Sequence, residues 1–442
     1  MKKILTFIFL SAVSICSFAQ EIKQTTLVWE KTGDMNVSRM DHSLVPAGDG
    51  KFMAVGGHTS GFSTESSAEI YEDGQWRLIE YPSVAHDTGS SIVLPDGRSL
   101  IFGGHKGSWG TNGGNDVVDV FNPATESFTS APTMLSGRAM CKGLCIANEV
   151  FIFGDYWASY WGQTPPAIDR WRINDDGTFS PLNNVAGIPH HSQRYPWAGL
   201  RSDNKGFVII DSYSSSNVNF VDVVSINGED ATLTTREMDI FSQLQPFYAT
   251  MRPDQYDLGD GRFIMTCLED NNPVLVLFNV NNLTAENILD IPTDFDGIHY
   301  RYYLPIVNKQ RKEAYLIACE ASDDEYSYAI ITVGCSGDSF TVKEVSIAGG
   351  FSVGNRMAGY ALMTDGRILM TGGSTLSNFD AHADCFIFTP NSEIAAGIKG
   401  VENDGAEPEA FYDLAGRRIS NLSKGLNIIK STDGNVNKVY IK

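Results

Sequence analysis

Arginines stand at a recurring distance ahead of tight turns. Arg39, Arg138 and Arg194, together with His86, each lie ten residues before Asp49, Asn148, Asn204 and Asp96 in turn, and Arg356 lies nine before Asp365. Arg252 and Arg301 fall close to the same place ahead of Asp260 and Asn308. A guanidinium is a planar fork that grips a carboxylate or sulfate at two points, so such a set is equipment for holding an anion. Eight histidines add proton-transfer capacity: His58 and His105 each follow a Gly-Gly pair, and His42, His86, His190, His191, His299 and His382 complete the set. Arg to neutralise a carboxylate, His or Tyr to remove the α-proton, and Tyr to protonate the leaving oxygen are what β-elimination of a uronate needs. His86, His299 and Tyr300 are the candidates for that work. Aromatic side chains cluster in Tyr156-Trp157-Ala158-Ser159-Tyr160-Trp161-Gly162 and in Tyr195-Pro196-Trp197. Flat rings beside a polar mouth suit stacking on sugars. Trp157, Trp161 and Tyr195 therefore join Arg39, Arg138, Arg194, Arg301 and Arg356 as candidate ligand-binding residues, with Trp197 expected inside and at least one of Trp157 and Trp161 outside.

Several chemistries find no support. There is no phosphate-binding glycine loop, no HExxH and no CxxC, and the cysteines are scattered rather than set at metal-ligand spacing, so no metal and no cofactor is expected. The chain of 442 residues carries 33 Lys+Arg against 53 Asp+Glu, a net charge of −20 that repels phosphate backbones. Nucleic acid is thereby excluded as a natural partner. A monomer handling a glycan or another polar, anionic ligand fits better.

What positions these residues is a repeat. An apolar strand, a tight turn on Asp-Gly or Asn, a second apolar strand and often Gly-Gly recur seven times, with turn centres at Asp49, Asp96, Asn148, Asn204, Asp260, Asn308 and Asp365. The steps of 47, 52, 56, 56, 48 and 57 residues match the ~50 residues of a four-stranded propeller blade. Asp-Gly supplies the positive φ angles that a short hairpin turn requires. Third strands are expected at Ala68–Tyr71, Val117–Phe121, Ile168–Trp171, Val221–Ile226, Val274–Val280, Tyr328–Val333 and Cys385–Phe388. Thr26–Glu30 precedes the first unit and the last unit lacks a fourth strand, so pairing the two would close a ring and remove both exposed edges.

The Asp-Gly turn, the following Gly-Gly, the Arg at the first-strand entrance and the later aromatic resemble kelch-type β-propellers, over about Thr26 to Pro390. The expected fold is therefore all-β: a seven-bladed kelch-type β-propeller closed by an N-terminal strand, plus a small C-terminal β module. The resemblance implies that all first strands start on one face around a central channel, which would gather the arginines and aromatics at its mouth. Of the chemistries hosted by related folds, copper radical oxidation would want a Tyr-His pair that is absent here, while lyase or epimerase action on an acidic sugar matches the inventory of parts. A protein-binding scaffold is a third reading.

The two ends read differently from the middle. Lys2-Lys3, an apolar run from Ile4 to Val13 and Ser17-Phe18-Ala19 form an export signal over residues 1–19. The propeller is expected over 20–390, an acidic linker over 391–409, and a module over 410–442 with three short strands. The ending is similar to the C-terminal β modules of exported Bacteroidetes proteins, which implies a place outside the cytoplasm, either periplasmic, cell-surface or extracellular. No later run of about 18 apolar residues would span a membrane.

Overall fold

The computed structural model describes residues 22–81, 84–107, 113–160, 164–190, 194–212, 220–295, 297–322, 325–375, 379–398, 408–412, 418–419, 425–431 and 436–441. Seven antiparallel sheets succeed one another along the chain as the blades of a propeller. Blade 1 is Ser43–Pro46, Phe52–Val55, Ala68–Glu72 and Gln75–Ile79, innermost strand first, and each later blade repeats that order. The third strands fall where the repeat places them, for example Val118–Asn122 in blade 2 and Cys385–Thr389 in blade 7. The strands are apolar on both faces because each blade is covered by its two neighbours, as in the cluster that joins Leu144, Phe151 and Phe153 of blade 3 to Phe207 and Val224 of blade 4.

The glycine pairs have a mechanical cause. Gly57 has φ +83°, and a Cβ there would sit 2.4 Å from the Met40 carbonyl oxygen, while the amide of Gly57 donates to His86 O of the next blade. Gly104 repeats this, with φ +102° and a Cβ that would lie 2.5 Å from Asp87 O. The second strand thus turns away from the channel where two backbones meet, and only glycine fits.

The ring closes through the N-terminus. Val28–Lys31 runs antiparallel to Phe386–Thr389 as the outermost strand of blade 7. The residues just before it do something the sequence did not foretell: Lys23–Thr26 adds a fifth strand, parallel, to the outer edge of blade 6 at Glu344–Ile347. Leu27 between them is buried among side chains of blades 6 and 7. Beyond Pro390 the chain stays docked, since Ser392–Ile398 is a helix whose Ile394 is buried in that same cluster, so the expected linker does not begin at 391. The C-terminal module is a four-stranded sheet, Arg418–Ile419, Pro408–Tyr412, Gly425–Ser431 and Val436–Ile441 in spatial order, one short strand more than expected.

Blade 5 departs from the pattern. Its innermost strand is split into Leu244–Pro246 and Asp257–Gly259, both paired to Arg262–Glu269. The chain between them crosses the channel. Arg252 donates to Leu44 O of blade 1, Gln255 Nε2 to Tyr360 O of blade 7 at 2.7 Å, the Ala198 amide of blade 4 to the Tyr256 hydroxyl at 3.1 Å, and Lys142 of blade 3 to Met251 O. This crossing segment divides the axis into two compartments.

Candidate functional site

Each innermost strand is entered through a short run in which side chains alternate in direction. Asp41, Thr88, Met140, Tyr195 and Met357, each two residues ahead of an innermost strand, all have positive φ, between +44° and +59°. The amide of Asp41 donates to Met357 O, Met140 to Thr88 O, Tyr195 to Met140 O and Ala249 to Tyr195 O, forming a backbone collar around the axis. Five equivalent residues in a strained conformation fix the phase of every neighbour.

That phase separates the arginines into two sets. Arg39, His86 and Arg138 stand two residues before the collar and point back into their own blades. Arg39 is fully buried, with its guanidinium on Glu69 at 2.8 Å, Ser67 Oγ at 2.9 Å and Gly56 O at 3.0 Å. Arg138 does the same with Asp169 at 2.8 Å and Gly154 O at 3.3 Å. His86 replaces arginine in blade 2, with Nε2 on Asp119 at 3.0 Å and Nδ1 on Gly103 O at 2.7 Å. In each case the carboxylate belongs to the third strand, so the pair pins the entrance of a blade to its middle. The expected roles of Arg39 and Arg138 in ligand binding and of His86 in catalysis are corrected accordingly: these groups are consumed inside the blades.

Arg194 and Arg356 stand only one residue before the collar and project to the other side. The bridge of Arg356 to Ser374 matches those of Met40 to His58 and Asp87 to His105, which establishes its register. Arg194 is half-buried, its guanidinium 4.7 Å from the ring centres of both Tyr156 and Tyr248, and its Nε is buried without a partner. Arg356 lies 3.7 Å over the Phe379 ring, which in turn touches Phe62 at 5.2 Å.

Between these arginines lies a titratable cluster. His58 Nδ1 is hydrogen-bonded to Asp87 Oδ1, both fully buried, and His58 Nε2 and Asp87 Oδ2 are buried without partners. Burial pulls the His58 imidazole down, but the hydrogen bond and charge of Asp87, aided by Asp41, outweigh it and leave it raised. Asp41 is pushed up to about 6 by burial and by Asp87, against the pull of His58, Arg194 and Arg356. His105 is lowered to about 4, mainly by burial and further by His58 and Arg194, and its Nδ1 accepts from Trp157 Nε1 at 3.2 Å. Tyr195, on the collar, reaches toward Lys142, whose Nζ is 5.6 Å from its ring centre, and burial with the charges of Asp41 and Asp87 raises its phenol.

Other expected site residues lie elsewhere. Trp157 is buried, held by Asp155, whose carboxylate accepts from the amides of Ala139, Trp157 and Ala158, so it is a supporting ring and not a sugar platform. Trp161 and the side chain of Arg301 fall outside the described residues. Tyr300 is wholly buried in the core of blades 5 and 6, away from catalysis, and His299 is exposed on the hairpin Asp294–Phe295/Ile298–His299, paired to Asp294 at 3.0 Å. Trp197 is fully buried, as expected. Arg252 is engaged by Asp254 at 3.0 Å in the crossing segment. Among the described residues the cysteines Cys141, Cys145, Cys267, Cys319, Cys335 and Cys385 are free thiols. Among the described residues no three His, Cys, Asp or Glu side chains are placed to hold a metal ion.

Asp41 yields a pH prediction. Its folded value near 6 exceeds the unfolded value of about 4, so between those limits the folded state keeps a proton that the unfolded chain releases, and stability falls as pH rises. Asp41→Asn is expected to flatten the stability profile over that interval and to recover up to about 3 kcal/mol at neutral pH. Denaturation midpoints at pH steps across the interval check this, and a parallel pair of profiles would rule it out.

No protein-family model and no curated protein matches the sequence. Among solved structures the chain is similar to a fungal alcohol oxidase of the AA5 family in complex with copper, with a TM-score of 0.51 and 12% identity over 92% of this chain and 84% of that one. At that identity the likeness shows the fold alone: the chain is a seven-bladed β-propeller.

Proposed function

We propose that the protein captures a carboxylate-bearing glycan at the channel mouth, with Arg194 and Arg356 taking the carboxylate. Arg194 carries the reading. Two tyrosine rings flank its guanidinium, and among the described residues its Nε has no partner and no carboxylate is bonded to it, in a protein of net charge −20. A guanidinium stacked on aromatic rings keeps its N–H edge for a planar, two-point ligand. Tyr156, Tyr248, Phe62 and Phe379 supply apolar surface beside that edge, suited to the face of a sugar ring. Cell-surface or extracellular residence belongs to the same reading and rests on the leader-like residues 1–19 and the C-terminal module.

Thermal-shift titration with uronate oligomers and with neutral oligosaccharides of equal length tests this, because a ligand of the folded state raises the midpoint. The uronate series should bind, and Arg194→Ala should weaken it at least about tenfold, the loss of one charge-assisted hydrogen bond. The variant's own stability should fall by no more than about 1–2 kcal/mol, the loss of its contacts with the Tyr156 and Tyr248 rings. Equal affinity for neutral sugars would sink the proposal.

One observation favours a catalytic version of the same site. The Asp87 carboxylate accepts from His58 Nδ1, which makes Nε2 the acceptor of the neutral ring, without a partner among the described residues, and burial pushes Asp41 up to about 6. In a uronate elimination His58 Nε2 would take the α-proton as the bond from the β-carbon to the glycosidic oxygen breaks, and that oxygen would leave with a proton from an acid such as Asp41. New near-ultraviolet absorbance from unsaturated uronate, lost in His58→Ala, is the expected sign.

A further inference from the structure

Directly beneath the collar, on the opposite side of the crossing segment from Asp254, lies a second hollow. A partly open cavity of about 50 Å³ is lined by innermost strands of blades 1, 2, 3 and 7 and by the crossing segment of blade 5. Its walls include His42, Ser90, Ser91, Lys142 and Arg252, and Thr250, which is exposed, connects it to solvent. Among the described residues two cationic side chains line it and no Asp or Glu does. That bias is opposite to the composition of the whole chain.

Lys142 is 1% exposed, yet among the described residues it has no carboxylate partner: its Nζ donates there once, to Met251 O, and faces the Tyr195 ring. An ammonium carries three donors, so two remain. Arg252 adds positive charge from the crossing segment, and its companion Asp254 lies on the other side, where it lines the separate cavity of about 120 Å³ between Gly143, Gly199 and Pro253. His42 is nine-tenths buried with Nε2 on Thr371 Oγ1 at 2.8 Å, and its Nδ1 has no partner. The Thr371 hydroxyl has one hydrogen and two possible acceptors, His42 Nε2 and Gly359 O at 3.4 Å; an anion in the hollow would select the tautomer in which Nε2 accepts and Nδ1 carries a hydrogen to give. A buried ammonium without a counter-charge is costly, and a donor-rich hollow with room for a few waters or one small ion is its natural remedy.

We propose that this axial cavity binds a small inorganic anion of halide size, with Lys142 as its counter-charge and His42 Nδ1–H and the hydroxyls of Ser90 and Ser91 as neutral donors. The anion ties blades 1, 2 and 3 to the crossing segment and is independent of any ligand at the mouth. Its binding depends on proton uptake by Lys142. Burial first, and then the charge of Arg252, pull the empty-site amine down to about 7 against Cys141 and Asp254, so anion affinity falls about tenfold per pH unit above that value.

The test uses bromide as the probe. Crystals of the full chain soaked in sodium bromide should show an anomalous peak within hydrogen-bonding reach of Lys142 Nζ. In solution at constant ionic strength, replacing gluconate by bromide should raise the midpoint of the parent along a saturable curve, more at about pH 6 than at about pH 9. Lys142→Met should lose both the peak and the bromide response. If that variant does not fold, the peak and the pH dependence in the parent decide the matter alone. Absence of a peak at Lys142, or a midpoint that follows ionic strength whatever the anion, overturns the proposal.

Discussion

Arg138→Ala is expected to lower stability by about 3–5 kcal/mol, the range for stripping one partner from a buried ion pair. Both side chains are essentially inaccessible, with Arg138 Nε and Nη2 reaching one oxygen of Asp169 at 3.1 and 2.8 Å. The other oxygen accepts the amide of Leu135 at 2.8 Å, so the carboxylate cannot swing out to water when its partner goes. Removing the guanidinium also strips donors from Gly154 O and Ala167 O. Chemical denaturation of Arg138→Ala, Asp169→Leu and the double variant gives the coupling directly, and the double variant should lose less than the sum of the two. The contrast with Arg194→Ala is the point of the experiment: two arginines equally spaced from their turns, one structural and one not. A loss under about 1 kcal/mol would return Arg138 to the pool of surface cations.

Deletion of residues 22–32 should be at least as damaging. Leu27 alone fills a site whose emptying costs about 2–5 kcal/mol. Trp29 covers Phe351 at 4.3 Å and Phe386 at 5.7 Å, and ion pairs run from Lys23 to Glu344, Glu30 to Arg367 and Lys31 to Asp384. Two ladders vanish with the segment, exposing the edges of both blade 6 and blade 7. A lower, still cooperative transition with increased self-association is the expected result. An unchanged melting curve would show that blade 7 is held by its other contacts.

The architecture was readable because turns and glycines are local: an Asp-Gly pair announces its own φ angles wherever it stands. The closing strand was readable for the same reason, as an apolar segment with no other partner. The mouth was not readable, and one residue explains why. Between the paired ends of the first two strands, blades 1, 2 and 7 have five residues, as in Ala47–Lys51, whereas blade 4 has six, Arg201–Gly206. Counting ten back from Asn204 therefore lands one position late, on a side chain that faces the opposite way from Arg39 and Arg138. In blade 7 the tenth residue back is Asn355, and Arg356 is out of phase by the same single step. Alternation turns so small an offset into a complete change of surroundings. Asp41 and Asp87 were visible only as nearby counter-charges, since nothing local shows that a buried carboxylate will meet His58 from another blade. The crossing segment of blade 5 was illegible because its hydrogen-bond partners lie on four other blades.

The two-blade attachment of the first strands also governs the order of assembly. Lys23 pairs with Glu344 and Val28 with Thr389, each more than 300 residues away along the chain. During synthesis these strands emerge before all seven innermost strands yet find their place last, and six blades can form while the seam stays open. Because the entropy of closing a loop grows only slowly with its length, the long wait costs little in equilibrium stability. It falls instead on the clock: until the final blade appears, two unpaired edges are available to any other chain, and the seam is where misassembly between two molecules would begin.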